Sequence, residues 1–341
     1  MIRFCFSLTT LLLIVTAATA DPPDADHPFM GEYHGSVNAD GKTSRAGLQV
    51  VALGNGEFTG MAYGGGLPGS GWDQKNRIKV SGNRTENTVT LTTDEGHKVT
   101  LDGLYANVQD KDGNDIGRLK KVIRSSATLG AYPPEYSIVL FDGHGTQAFK
   151  DGKVDDEGYL KVGTELLPLY GDFTLHMEFR IPYYPERRGQ HRGNSGLYIN
   201  SRYEVQILDS FGLEGLPNEC GGLYRQKAAD QNMALPPGSW QTYDIRFRSP
   251  KFDSAGEKTE NARITVRHNN VVIHDDYEII AKTGAGKKEA PNLLPTKLQD
   301  HASDVQFRNM WLIDHSRGTV CEPIGPAIVI DSVVSACSCC D

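Results

Sequence analysis

Three polar constellations in this 341-residue chain could do chemistry. The first is Tyr203-Glu204-Val205-Gln206-Ile207-Leu208-Asp209. A strand's period of two puts Val205 and Ile207 on one face and Glu204 and Gln206 on the other. On a concave face that pair would line a cleft, with Glu204 able to move a proton. A solvated sheet face carries the same pattern. The second is Gln299-Asp300-His301, followed by Arg308-Asn309. A carboxylate can orient and charge a neighbouring histidine for proton transfer. Adjacent strand residues point apart, however, and a polar loop would look alike. The third is His191-Arg192-Gly193-Asn194-Ser195-Gly196, a polar loop feeding a strand. The G-x-S-x-G, H-E-x-x-H and phosphate-loop signatures are absent.

The elements that must position these groups are strands. With 37 glycines and 17 prolines, and no Gly-X-Y period, the chain suits short strands joined by turns. Residues 29–125 predict a small separate all-β domain. There Leu48-Gln49-Val50-Val51-Ala52-Leu53 and residues 57–63 flank Gly54-Asn55-Gly56, and residues 88–92 and 98–101 flank Asp94-Glu95-Gly96. Residues 21–28 and 126–136 read as linkers. Residues 137–315 hold strand candidates at 173–180, 195–199, 203–208, 222–225, 241–247, 263–268, 271–274 and 305–313. Asn269-Asn270 marks a tight hairpin. The spacing predicts an all-β sandwich or jelly roll. Trp240 and Trp311 are expected in the core, and His268 and His274 on the surface.

Charge and targeting bound the partners. Lys and Arg number 35 against 43 Asp and Glu, a net of −8 without a basic block, which argues against nucleic acid. Residues 1–20 look like an export signal: Arg3, the apolar Leu11-Leu12-Leu13-Ile14-Val15, then Ala18-Thr19-Ala20. A periplasmic or extracellular protein without a stable membrane span is expected. Beyond Cys5 there are five cysteines: Cys220, Cys321, Cys337, Cys339 and Cys340. An odd number leaves at least one unpaired within the chain. Residues 316–341 read as a cysteine-containing tail. Oligomeric state is not encoded in any pattern here.

Several blocks together carry a resemblance. They are Asn194-Ser195-Gly196-Leu197-Tyr198, the 203–209 run, Gly221-Gly222-Leu223-Tyr224, Trp240-Gln241-Thr242-Tyr243, Leu298-Gln299-Asp300-His301 and Phe307-Arg308-Asn309-Met310-Trp311. In order and spacing, residues 137–315 resemble the 3-keto-disaccharide hydrolase domain family. The resemblance implies a concanavalin A-like jelly-roll β-sandwich with a concave sheet. It also implies action on glycosides already oxidised at sugar C3. Ala302 stands where the family carries a glycine. The N-terminal β domain lies outside the likeness.

A C3 ketone acidifies the C2 proton and lets the C1 oxygen leave by elimination, after which water adds. That needs a base, an enolate stabiliser and an acid, not the paired carboxylates of ordinary glycosidases. Glu204 or His301 is the expected base, with Asp300 beside it. Arg308 with Gln206, or a divalent cation held by Glu204, Asp300 and His301, would steady the enolate. Asn194, Tyr198, Gln206, Tyr224, Gln299 and Arg308 are the expected substrate contacts. No organic cofactor is required. Two alternatives remain. One is a non-catalytic carbohydrate-binding module with Tyr198, Tyr203 and Tyr224 stacking on sugar rings. The other is a retaining glycosidase, disfavoured because Gln206 stands where a second carboxylate would sit on the strand.

Overall fold

The computed structural model describes residues 24–317 except residue 40. The expected export signal, and the tail beyond residue 317 with its four cysteines, lie outside the described residues. The chain is all-β. Eight antiparallel strands, Gly31–Ala39, Lys42–Gly54, Glu57–Gly64, Arg77–Thr85, Thr88–Thr92, Lys98–Leu101, Tyr105–Gln109 and Asp115–Val122, close into an up-and-down barrel. Closure removes the exposed edges an open sheet would leave. Each of the two expected hairpins is a neighbouring pair in it. The closed barrel itself was not foreseen, because register around a ring is a long-range property.

The second unit is a two-sheet sandwich. A five-stranded sheet runs Phe149–Lys150, Thr164–Leu166, Lys297–Leu298, Ser195–Ile199, Tyr203–Ile207. A seven-stranded sheet runs Leu160–Lys161, Gln306–Asp314, Phe173–Arg180, Trp240–Arg248, Ala262–His268, Val271–Ile279, with Ile138–Phe141 also beside Gln306–Asp314. One core fills the space between them, including Leu197, Val205, Ile207, Phe179, Phe247 and Phe307. Asn269 and Asn270 both take positive φ, 51° and 66°, as a tight hairpin requires. The expected strand at 222–225 is instead a turn with an isolated bridge, Leu223 to Val205. Gly221 at φ 81° breaks the extended run before it.

The two units are fastened together. Gln49 and Val51 point outward from the barrel, yet both are buried, against Phe211 and Gly212 of the sandwich. Arg192 and Asp209 form a buried ion pair at 2.6 Å, and Arg192 also donates to the Ala52 carbonyl of the barrel. Of residues 126–136, expected as a linker, 126–131 are pinned across the outer face of the larger sheet, while Tyr132 and Tyr136 are exposed. Ser126 bonds Thr242 at 2.6 Å, Thr128 donates to Asp244 at 2.7 Å, and the Gly130 N–H donates to Glu178.

Two expectations for the larger sheet are corrected. Trp311 stacks on the buried His176 ring, centroids 5.0 Å apart, and Trp240 lies under Arg308 at 4.1 Å. Neither tryptophan belongs to the inter-sheet core, because the period of two turns both side chains outward. His268 and His274 are likewise not exposed. Both are fully buried, against Gln241 and the Gly221 carbonyl, and burial pushes their pKa values down to about 3 and about 4. The 213–235 segment, running over this hairpin, covers them.

Glu178 is the anchor of the pinned face. It accepts from Arg308 at 2.7 Å, Asn309 at 2.9 Å and Gly130. Burial alone would raise its carboxyl, but the His176 ring 3.7 Å away and hydrogen bonds from Asn309, Gly130 and Arg308 outweigh it and hold the pKa at about 2, against 4.5. A depressed carboxylate contributes stability that is present above the unfolded value and lost as pH falls through the folded one. Glu178→Gln should therefore destabilise the protein by about 3 kcal/mol at pH 7, since it leaves buried partners unpaired. The gap to wild type in urea unfolding should shrink as pH falls from 4.5 toward 2; a gap that stays constant would refute this account.

Candidate functional site

The five-stranded sheet separates apolar from polar by alternation alone. Tyr203, Val205 and Ile207 enter the core. Glu204 and Gln206 turn to the opposite face, where Tyr198 stands directly across from Glu204 and Gly196 across from Gln206. Gly196 is needed there. A methyl group on it would lie 2.6 Å from Glu204 Oε1. A loop closes the other side: the Glu204 N–H donates to Thr283 Oγ1 at 2.6 Å, and Thr283 N–H returns a bond to the Arg202 carbonyl at 2.9 Å. Arg202 is buried and holds the same loop through the Lys288 and Asn292 carbonyls.

Glu204 is only 2% exposed. Tyr198 donates its hydroxyl to Oε2 at 2.6 Å. Among the described residues no cation pairs with the carboxylate. Burial raises its pKa, the Tyr198 hydrogen bond only partly offsets this, and the result is about 7 instead of 4.5. Tyr198 in turn is raised by burial and by the adjacent carboxylate. Tyr198 opens onto a cavity of about 460 Å³ lined also by Ser201, Lys287, Lys297, Gln299 and Asp300. Lys297 is held by Glu165 at 3.1 Å, whereas Lys287 forms no ion pair among the described residues.

A chain of amides continues from Gln206. Its Nε2 donates to Gln190 Oε1 at 3.1 Å, and Asn194 Nδ2 donates to the Gln190 carbonyl at 2.8 Å. Asn194 Oδ1 and Gln299 Oε1 are buried acceptors without a protein partner. Gln299 is tied in by its backbone, its N–H donating to the Gly196 carbonyl at 2.9 Å. Tyr224 continues the wall beside Glu204, its N–H donating to the Glu204 carbonyl at 3.2 Å. One face of one sheet thus presents a carboxyl group poised near neutrality and unpaired hydrogen-bond acceptors, next to an open cavity.

Residues 136–313 match the 3-keto-alpha-glucoside-1,2-lyase-like domain family, just over half of the 341 residues. The chain belongs to this family. No curated protein sequence matches the chain. Solved structures from Parabacteroides distasonis, each provisionally named a glycosyl hydrolase, are similar to it. One is 28% identical over 53% of this chain and 84% of the other, with a TM-score of 0.48. A second is 19% identical over 53% and 94%, with a TM-score of 0.38.

Within this 3-keto-alpha-glucoside-1,2-lyase-like domain the expected site residues divide. Glu204, Gln206, Tyr198, Asn194, Gln299 and Tyr224 share one side of the smaller sheet as described; of the six, Tyr198 and Gln299 line the cavity itself, and Glu204 adjoins it through its bond to Tyr198. Asp300 lines the cavity but is exposed, and it accepts from the Ala302 N–H at 2.9 Å in a local turn. His301 is exposed and is not among the residues lining that cavity. Glu204, Asp300 and His301 therefore do not gather into a ligand set; among the described residues no group of three His, Cys, Asp or Glu could hold a metal ion. Arg308 is a clear correction. It belongs to the other sheet, on its outer face, bound to Glu178, so it cannot act with Gln206. Tyr203 is in the core and cannot stack on a sugar. Two residues were missed. Gln190 lies one residue before the polar loop that begins at His191 and carried no signal of its own, and Lys287, from a Gly/Pro-rich stretch, lines the cavity.

Gly196→Ala should displace the Glu204 carboxylate while the strand stays paired, because the contact is with a side chain's far end. The expected outcome is an unchanged circular dichroism spectrum with a Glu204 titration moved away from pH 7, followed by carbon-13 NMR of labelled glutamate; an unmoved titration would show that Gly196 does not shape the site.

Proposed function

We propose that the Glu204 pocket cleaves the C1–O glycosidic bond of 3-keto-glycosides by elimination and hydration. The observation that carries this is one buried carboxyl group tuned to about 7, with no second carboxylate contributing to its shift. A proton-transfer group works best when its pKa lies near the working pH. Paired-carboxylate hydrolysis would need a partner within about 5 to 9 Å; the strand supplies Gln206 instead.

Ionised Glu204 takes the C2 proton of the keto-sugar. The C2–H electron pair becomes the C2–C3 double bond and the C3 oxygen becomes an enolate. The enolate then collapses, forming C1=C2 as the C1–O bond breaks, and the leaving oxygen takes a proton from solvent. Water adds its hydroxyl to C1 and gives its other proton back to solvent, and C2 recovers its proton from the Glu204 carboxyl, restoring the carboxylate. The products are the free keto-sugar and the freed alcohol. Lys287 at the rim offers positive charge to the developing enolate. Asn194 Oδ1 and Gln299 Oε1 suit sugar hydroxyl donors, since a buried acceptor left unpaired costs about 1–3 kcal/mol. Tyr224 offers an aromatic flank to the sugar ring. No step is routed through a metal, because the candidate ligands are apart. The export-like residues 1–20 support action outside the cytoplasm.

The test is incubation with an aryl 3-keto-glucoside and its unoxidised parent. Release of the aryl alcohol from the keto form alone is expected, and Glu204→Gln should abolish it. Release from the parent would overturn elimination, and no release from either would favour a binding module. Turnover should rise with pH through about 7 as Glu204 ionises. Tyr198→Phe removes the hydrogen bond that favours the ionised form. Its pH–rate limb should therefore move to higher pH; a move to lower pH would contradict the assigned partnership.

A further inference from the structure

The barrel contains a second cavity, built from none of the residues around Glu204. One end of the barrel is plugged. The short turn His27–Phe29 lays Phe29 against Phe58, edge to face with centroids 6.2 Å apart, and Tyr33 donates to the Phe29 carbonyl at 2.8 Å. The other end is open, with a cavity of about 250 Å³. Leu48, Ala62, Val80, Val99, Val108 and Leu119 line it from six strands. Leu48, Val80, Val99 and Leu119 are buried in its floor, and Ile78 at its rim is 50% exposed.

Small residues create the space. Eight-stranded barrels are just wide enough for side chains to fill, or to hold one small ligand. Here two adjacent strands meet at the mouth through the pairs Ala46–Gly64 and Leu48–Ala62, so three of four facing residues are too small to reach across. Among the described residues the lining contains no carboxylate, and its arginine, Arg45, is exposed. Its polar side chains, Ser44, Thr93, His97, Tyr63 and Asn76 among them, are outnumbered by apolar ones, and several are already committed: the Thr93 hydroxyl accepts from the His97 N–H at 3.1 Å. The Tyr63 hydroxyl donates to Gln49 at 2.9 Å and the Asn76 amide to Asp73 at 2.6 Å. A sugar entering this mouth would give up water and find few partners. An apolar guest would gain about 25 cal/mol for each Å² removed from water.

We propose that the open barrel mouth binds a small uncharged apolar molecule, a ring system or a short hydrocarbon chain. An apolar cavity of roughly 150 Å³ suffices for benzene, so this one takes a bicyclic ring or a chain of about ten carbons. The same chemistry could come from the apolar alcohol part of a glycoside or from a free aliphatic chain. The inference does not depend on the Glu204 reaction.

The experiment is a fluorescence titration of the full chain with N-phenyl-1-naphthylamine, an uncharged probe that brightens in apolar surroundings. Saturable one-to-one binding is expected. Ala62→Leu and Ala46→Leu, each shown to fold by thermal unfolding, fill the mouth and should weaken binding at least tenfold. Glu204→Gln should leave it unchanged. Displacement by 2-naphthol points to the ring source, and displacement by 1-decanol to the chain source. Absence of saturable binding, binding that survives both filled variants, binding lost in Glu204→Gln, or displacement by neither competitor would overturn the proposal.

Discussion

Ionising a carboxyl group out of contact with water is costly, and a neighbouring cation is the usual remedy. Glu204 has no such neighbour. It has one hydroxyl, from Tyr198, and burial dominates its titration. The surrounding structure makes this tolerable by rigidity. Gly196 leaves room for the carboxylate, Thr283 holds its backbone, and Arg202 ties down the covering loop. A more flexible shell would let water in and return the group to an ordinary acid. The same burial makes the group a candidate base and limits how the sheet can vary, since adding a single methyl group at Gly196 would force the carboxylate to move.

The sandwich treats its charged residues in two ways. On the outer face of the larger sheet, Glu178 is surrounded by donors and held strongly acidic, an arrangement that helps fasten residues 126–131 down. Burial also opposes protonation of His176, yet its hydrogen bond to Asp244 and the Glu178 carboxylate 3.7 Å away raise it overall. That histidine's contribution is fully present below its unfolded value and fades as pH rises through the folded one. The face with many partners is structural. The face with few is where the proposed chemistry lies. The contrast explains why Arg308, though polar and inside the family-like blocks, belongs to the clamp rather than to the pocket.

The barrel and the sandwich share more than a tether. The run Leu48-Gln49-Val50-Val51-Ala52 is buried continuously because one side fills the barrel and the other meets Phe211. Its sequence signals a strand clearly but not the second buried face, since alternation breaks down when both sides are covered. The buried thiol of Cys220 is another tertiary outcome. Its Sγ lies 3.2 Å from the Tyr243 hydroxyl, and burial pushes it up to about 11, far from a reactive thiolate.

The sequence by itself determined what is local. Period two placed Val205 and Ile207 against Glu204 and Gln206, Asn269-Asn270 made its hairpin, and the spaced blocks marked the domain that matches the family. Tertiary structure decided what depends on which sheet covers which. It closed eight strands into a barrel, buried His268 and His274 under the 213–235 segment, carried Arg308 to the far sheet, left His301 in solvent and returned Lys287 to the cavity rim. The physical reason is range. Side-chain direction along one strand follows from backbone geometry between neighbours, whereas burial, pairing and proximity in a sandwich arise from residues more than a hundred positions apart, as Asn194 and Ser303 or Glu178 and Arg308 show.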